Sequence, residues 1–227
     1  MKNLRTRIAI LVISFVSFLG VQTTANSVEG LSIGLGYTSS VFAGKGEELG
    51  TSGASTANQS KGTETGMFTD STGSIFAEYG VGMVSFGVEY TLEDIKTPEN
   101  TNVQQNSATA GDDITNTVKV SFKDHTSIYA HLNLTENAYL KAGYVMTTAA
   151  TQENLGTGGA YGDEDINGYT VGIGYQHNLD SGFFVRAEGS ASDYEDVSTT
   201  NSNDATKKIE VSDMFGVNGS IKIGKTF

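Results

Sequence analysis

Beyond its first twenty-five residues the chain is written in period two. Eight segments alternate apolar with small or polar side chains: Leu31 to Phe42, Gly73 to Tyr79, Met83 to Leu92, Thr117 to Leu134, Ala138 to Met146, Gly168 to His177, Phe183 to Ser192 and Val211 to Thr226. That period belongs to strands whose two faces meet different surroundings. Three connections are only a few residues long: Gly80-Val81-Gly82, Thr135-Glu136-Asn137 and Asn178 to Gly182. The other four, 43–72, 93–116, 147–167 and 193–210, are long and polar. Short turns alternating with long loops describe an antiparallel up-and-down barrel, and an even strand count brings both chain ends to the short-turn side.

Two solvents suit such a barrel. A soluble cup of the lipocalin kind turns its apolar side chains inward around a ligand; a membrane barrel turns them outward to lipid. In the third segment Val84, Phe86, Val88, Tyr90 and Leu92 share one face, and Ser85, Gly87, Glu89 and Thr91 the other. In the sixth, Tyr169, Val171, Ile173 and Tyr175 oppose Thr170, Gly172, Gly174 and Gln176. A polar face of glycine, hydroxyls and isolated ions is too small and too sparsely charged for a solvated exterior, and it fits a narrow lumen. The expected fold class is therefore all-β, an eight-stranded antiparallel up-and-down transmembrane β-barrel. Tyr37, Tyr79, Tyr90, Tyr144, Tyr169, Tyr175 and Phe227 stand where interfacial aromatic girdles belong. No later stretch approaches 18 apolar residues, so strands are the available means of crossing a bilayer.

The two ends agree. Lys2, Arg5 and Arg7 precede the apolar run Ile8 to Leu19, and Thr23-Thr24-Ala25 ends in small residues, the layout of an export signal cleaved after Ala25. Residues 26–227 are then one barrel domain in a Gram-negative outer membrane. The last strand carries Phe215, Val217, Ile221 and Ile223 on its apolar side and stops on Phe227, reading as a closing strand that the barrel-assembly machinery recognises. With no cysteine, disulfides and thiol chemistry are excluded. A pI near 4.6 excludes a nucleic-acid partner, which needs a basic surface.

Residues 183–197, Phe-Phe-Val-Arg-Ala-Glu-Gly-Ser-Ala-Ser-Asp-Tyr-Glu-Asp-Val, resemble the penultimate strand of small outer-membrane barrels of the OmpX, opacity-protein and OmpA-barrel group, where Arg-x-Glu is followed by a loop-opening Asp-Tyr. Gly168 to Tyr175 and the Phe-terminated last strand resemble the same superfamily. The resemblance implies an eight-stranded barrel set in outer-membrane lipid and lipopolysaccharide.

Face parity collects an inward set: Glu78, Glu89, His131, Lys141, Arg186, Glu188 and Lys222. An eight-stranded bore is filled by side chains, so these ions must pair as a polar plug or as a switchable gate. His125 and Ser127 share a face with a spacing that resembles the catalytic strand of outer-membrane lipid A deacylases. Here, however, Ile128 follows the serine where that family has Asn, and Ala138 to Met146 supplies no acid. Asp163, Asp165 and Asn167 match the first half of a calcium loop, but its twelfth position is Gly174, leaving at most a loose divalent site. No cofactor is expected.

The expected protein is a monomeric, non-enzymatic barrel with a closed, ion-paired lumen and four long acidic external loops. Its role is structural, adhesive or interactive, toward an external protein, phage or host surface. A small porin is the alternative, and a deacylase the third reading.

Overall fold

The computed structural model describes residues 29–50, 59–105, 113–155 and 159–227. The expected leader lies outside the described residues. The strands are β1 (Gly30–Gly50), β2 (Gln59–Val81), β3 (Val84–Thr91), β4 (Ile95–Lys96), β5 (Asn100–Gln105), β6 (Asp113–Asn133), β7 (Ala138–Asn154), β8 (Glu164–Asn178), β9 (Phe183–Tyr194), β10 (Val197–Thr200) and β11 (Lys208–Thr226). Eight of them close an antiparallel ring in chain order, with β11 returning to pair with β1. The short strands extend it: β4 and β5 continue the path of β3 along β6, and β10 continues that of β9 along β11. Closure runs from Ser32 opposite Thr226 to Leu49 opposite Lys208, and the Phe227 N–H donates to the Leu31 carbonyl at 2.9 Å. Closing the ring pairs the edges that an open sheet would expose.

The short turns sit where sequence places them. Gly82 takes φ 60° between β2 and β3, and a 3-10 turn at Asp180–Gly182 holds Ser181 and Gly182 at φ 65° and 80°. The long connections differ from expectation. Much of 43–72, 93–116, 147–167 and 193–210 is strand, because the pairing of β1 with β2 and of β6 with β7 continues well past the apolar alternation. Thr, Glu and Lys replace the apolar face there, so the period-two hydrophobic signal fades while the hydrogen-bonded ladder goes on. The outer part of β6 is also no free edge, being flanked by β4, β5 and β7.

Polarity inverts along the barrel axis. Toward the short turns the outside is apolar, with Leu31, Ile33, Leu35, Phe86, Ile128, Ile173, Val217, Ile221 and Ile223 exposed. Tyr37, Tyr79, Tyr90, Tyr169, Tyr175 and Phe227 accompany them on the same outer surface, and Tyr144 meets Tyr169 edge-on at 5.4 Å. Toward the other end the apolar residues turn inward: Val145, Ile166, Tyr194 and Met214 form a buried cluster backed by Phe42, Phe122, Val197 and Val211. The outer wall at that level carries ion pairs, Lys45–Glu47 at 3.6 Å and Lys123–Asp163 at 3.9 Å.

Two bulges set the inversion. Asp124 in β6 and Asp213 in β11 adopt φ 54° and 53°, and the register shifts beside each of them. One extra residue moves every later side chain to the opposite face. Phe122, Val120 and Val118 therefore face inward although His125 and Ser127 on the same strand do too, which corrects the single parity read across Thr117 to Leu134.

Candidate functional site

The structure places all seven ionisable residues of the inward set in the lumen, toward the short-turn end. β2 supplies Glu78, β3 Glu89, β6 His131, β7 Lys141, β9 Arg186 and Glu188, and β11 Lys222. These come from every second position on strands whose other face meets the exterior.

Two linked groups result. In the first, Arg186 grips Glu78 through two nitrogens at 2.6 and 2.8 Å and also donates to Gln176 Oε1 at 2.7 Å. The Tyr129 hydroxyl donates to the same carboxylate at 2.6 Å. In the second, Glu188 accepts from Lys141 at 2.9 Å and from the Tyr139 hydroxyl at 2.8 Å. Lys222 bonds Glu89 at 2.6 Å and reaches Glu188 at 3.4 Å, while Ser74 donates to Glu89 at 2.8 Å. Three carboxylates thus face three cations in fork or bridged geometry, the arrangement in which charge-assisted bonds are strongest. His131 lies between the groups, its ring 4.8 Å from that of Tyr129 and 4.2 Å from that of Tyr139. It stands 3.7 Å from Glu78 and 3.8 Å from Glu188, beyond hydrogen-bond reach of either.

Aromatic rings complete the plug, and a count of charges alone misses them. The Arg186 guanidinium lies 5.4, 5.0 and 5.1 Å from the ring centres of Phe76, Phe184 and Tyr139, and Lys141 lies 4.3 Å from that of Tyr129. The two tyrosine rings each need a strand position without a side chain. A Cβ at Gly87 would stand 2.6 Å from the Tyr129 ring, and one at Gly174 would overlap that of Tyr139. Two small spaces remain beside the plug, about 70 Å³ above it and about 20 Å³ below it. Each is large enough for at least one water molecule.

The other candidates are not assembled. His125 meets Thr91 Oγ1 and the Tyr194 hydroxyl, both at 3.3 Å, while Ser127 Oγ is buried without a hydrogen-bond partner among the described residues. No base is therefore placed on that serine. Asp163 precedes β8, and Asp165 and Asn167 lie within it. Asp163 pairs with Lys123, and Asp165 accepts from Thr148 at 2.8 Å. Among the described residues no group of three or more His, Cys, Asp or Glu is gathered for a metal. Of the closing-strand residues, Val217, Ile221, Ile223 and Phe227 lie exposed on the outer surface; Phe215 sits beside the second bulge.

A closed eight-stranded ring with an apolar exterior and a paired ionic interior defines a small barrel of the outer-membrane type. The family model described as the outer membrane protein beta-barrel domain matches residues 9–220, and the chain belongs to that family. Among solved structures it is similar to the outer membrane protein OprG from Pseudomonas aeruginosa, at 11% identity and a TM-score of 0.53, covering 91% of this chain and 100% of that one. It is also matched to the outer membrane protease OmpT from Escherichia coli (10% identity, TM-score 0.46, covering 91% and 100%) and to Ail of Yersinia pestis in complex with a heparin analogue (12%, 0.33, covering 86% and 99%). Identities this low carry the fold and nothing finer. No curated protein matches the sequence.

Proposed function

We propose that the protein is a non-enzymatic resident of a Gram-negative outer membrane whose lumen is closed, and that it works through its water-facing outer half rather than as a pore. The observation that carries this reading is the plug: three acids and three bases, each bonded to an opposite charge, wedged among four aromatic rings. A hydrated ion would have to separate these pairs in a medium where an unpaired charge is costly. Orphaned Ser127 supports the non-enzymatic part. Lipopolysaccharide and lipid surround the belt in this reading, and the barrel-assembly machinery reads the strand that ends at Phe227.

Single-channel recording of the mature chain in planar bilayers tests it. A silent wild type, with Arg186→Ala and Glu188→Ala variants that leak, is the expected result. Discrete openings in the wild type would replace this reading with a small porin gated by Glu89, Lys141, Arg186 and Lys222.

A further inference from the structure

Above the plug the barrel holds another, much larger space. Its volume is about 450 Å³, and it is walled by Phe42, Phe68, Phe122, Ile166, Val211 and Met214. An engineered cavity of roughly 150 Å³ suffices to bind benzene. This one lies in the 300–1,000 Å³ range of small-molecule sites.

Three features mark it as a site and not a loosely packed core. Gly46 and Gly66 line it, and a Cβ at either would meet nothing within 4 Å, so the sequence leaves unfilled positions that any aliphatic side chain would occupy. Beside that opening, on the same face of β1 and β2, the aromatic wall is ordered: Phe42 stacks on Phe68 at 5.0 Å, and Phe68 lies parallel to Phe122 of β6 at 6.2 Å. The floor then carries a polar pair, His125 Nε2 with the Tyr194 hydroxyl at 3.3 Å, able to meet one hydroxyl or carbonyl of a guest.

Charge narrows the ligand class. Among the described lining residues the ionisable groups are His125, Tyr194, Glu64 and Glu164, with no lysine or arginine. Nothing there neutralises a carboxylate, sulfate or phosphate. We propose that this cup is a binding site for an uncharged hydrophobic small molecule, aromatic or short-chain, bearing at most one hydroxyl or carbonyl. The site stands above the outward apolar belt, at the level where the wall bears Lys45–Glu47 and Lys123–Asp163, so the guest enters from water. The inference is independent of whether the plug conducts.

The chain has no tryptophan, so one introduced indole is a clean reporter. Phe122→Trp places it in the cup, and Tyr169→Trp places it on the lipid-facing exterior. Each variant, refolded as the full mature chain in lipid nanodiscs, is titrated with 4-bromobenzyl alcohol, whose bromine quenches indole, and with 4-bromobenzoate as its anionic counterpart. The expected result is saturable quenching by the alcohol at position 122, only linear quenching at 169, and binding of the benzoate roughly tenfold weaker or more. Adding Gly66→Leu to Phe122→Trp should abolish the saturable phase while heat-modifiable gel migration stays normal. Linear quenching at both positions would overturn the proposal, since it reports partition into lipid alone. Undiminished saturation in the Gly66→Leu variant would overturn it too, because the probe would then be bound elsewhere.

Discussion

Arg186→Met removes one partner from a fully buried, two-pronged ion pair of the barrel. Glu78 would keep the Tyr129 hydroxyl at 2.6 Å as its remaining hydrogen-bond donor, with His131 3.7 Å away. Arg186 and Glu78 are only 4% and 5% exposed, so the carboxylate stays largely desolvated when the guanidinium is removed. Breaking a buried pair from one side costs about 3–5 kcal/mol. Met keeps most of the volume against Phe76 and Phe184, so little of the loss is packing. Adding Glu78→Gln removes the stranded charge while keeping an acceptor for Tyr129. The double variant should return to within about 1 kcal/mol of wild type, since neutral replacement of a buried pair is often nearly free. The expected coupling is then at least roughly 2 kcal/mol, and larger by whatever Glu78→Gln costs on its own when it leaves the guanidinium without its counter-charge. Equilibrium urea unfolding in phospholipid vesicles, followed by far-ultraviolet circular dichroism, measures all four corners of the cycle. A double variant that loses the sum of the two single losses would refute the argument that the fork between β2 and β9 holds the plug.

Further outcomes follow from local geometry. Gly174→Ala puts a methyl group into the Tyr139 ring and drives its hydroxyl off Glu188, an expected loss of about 2–4 kcal/mol combining overpacking with a charged hydrogen bond. Gly189→Ala, where a Cβ meets nothing, should stay within about 0.5 kcal/mol in the same unfolding assay. Asp213→Val forces a β-branched residue to φ 53° and should cost about 1–2 kcal/mol, whereas Asp213→Gly should cost nothing measurable by the shift in urea midpoint. Asp163→Asn with Asp165→Asn should leave the unfolding midpoint unchanged whether or not calcium is added, and a calcium-dependent difference would restore the divalent site.

The lower barrel is legible in the sequence because parity there runs unbroken from each short turn, so Glu78, Lys141 and Arg186 can be counted inward from Gly82, Asn137 and Gly182. The same count reaches Phe76, Tyr129, Tyr139 and Phe184. Residue type hides them, because it assigns aromatic side chains to the lipid-facing exterior. The paired glycines are the available signal: Gly87 opposite Tyr129 and Gly174 opposite Tyr139 are spaces cut for rings. The outer half is illegible for a different reason. Its strands leave the apolar belt, so pairing continues through Thr, Glu, Lys and Gly, and the outward apolar alternation that marks a membrane strand is lost. The lipocalin-like pattern that fails for the chain as a whole, apolar inside and charged outside, holds in this half.

The inversion is encoded in two ways, and they can be told apart. In β7 and β8 the face is constant and the chemistry changes along it, from Lys141 to Val145 to Ala149 and from Thr170 to Ile166. In β6 and β11 the chemistry on each parity is kept and the face changes, at Asp124 and Asp213. Deleting Asp213 should therefore do what Asp213→Gly does not. Without the extra residue, Val211 and Ile209 turn outward to water, and Glu210 and Lys208 turn into the cup. Burying that Glu–Lys pair and exposing two aliphatic side chains should dismantle the outer half of β11 against β1, while Val217 to Thr226 keeps its register and the plug its Lys222. The expected readout is selective: heat-modifiable migration retained, saturable quenching lost when the deletion is combined with Phe122→Trp, and amide exchange accelerated in 208–212 but not in 217–226. Uniform loss of protection along the whole strand would mean that the two halves fold as one unit and that the bulge is not the boundary between them.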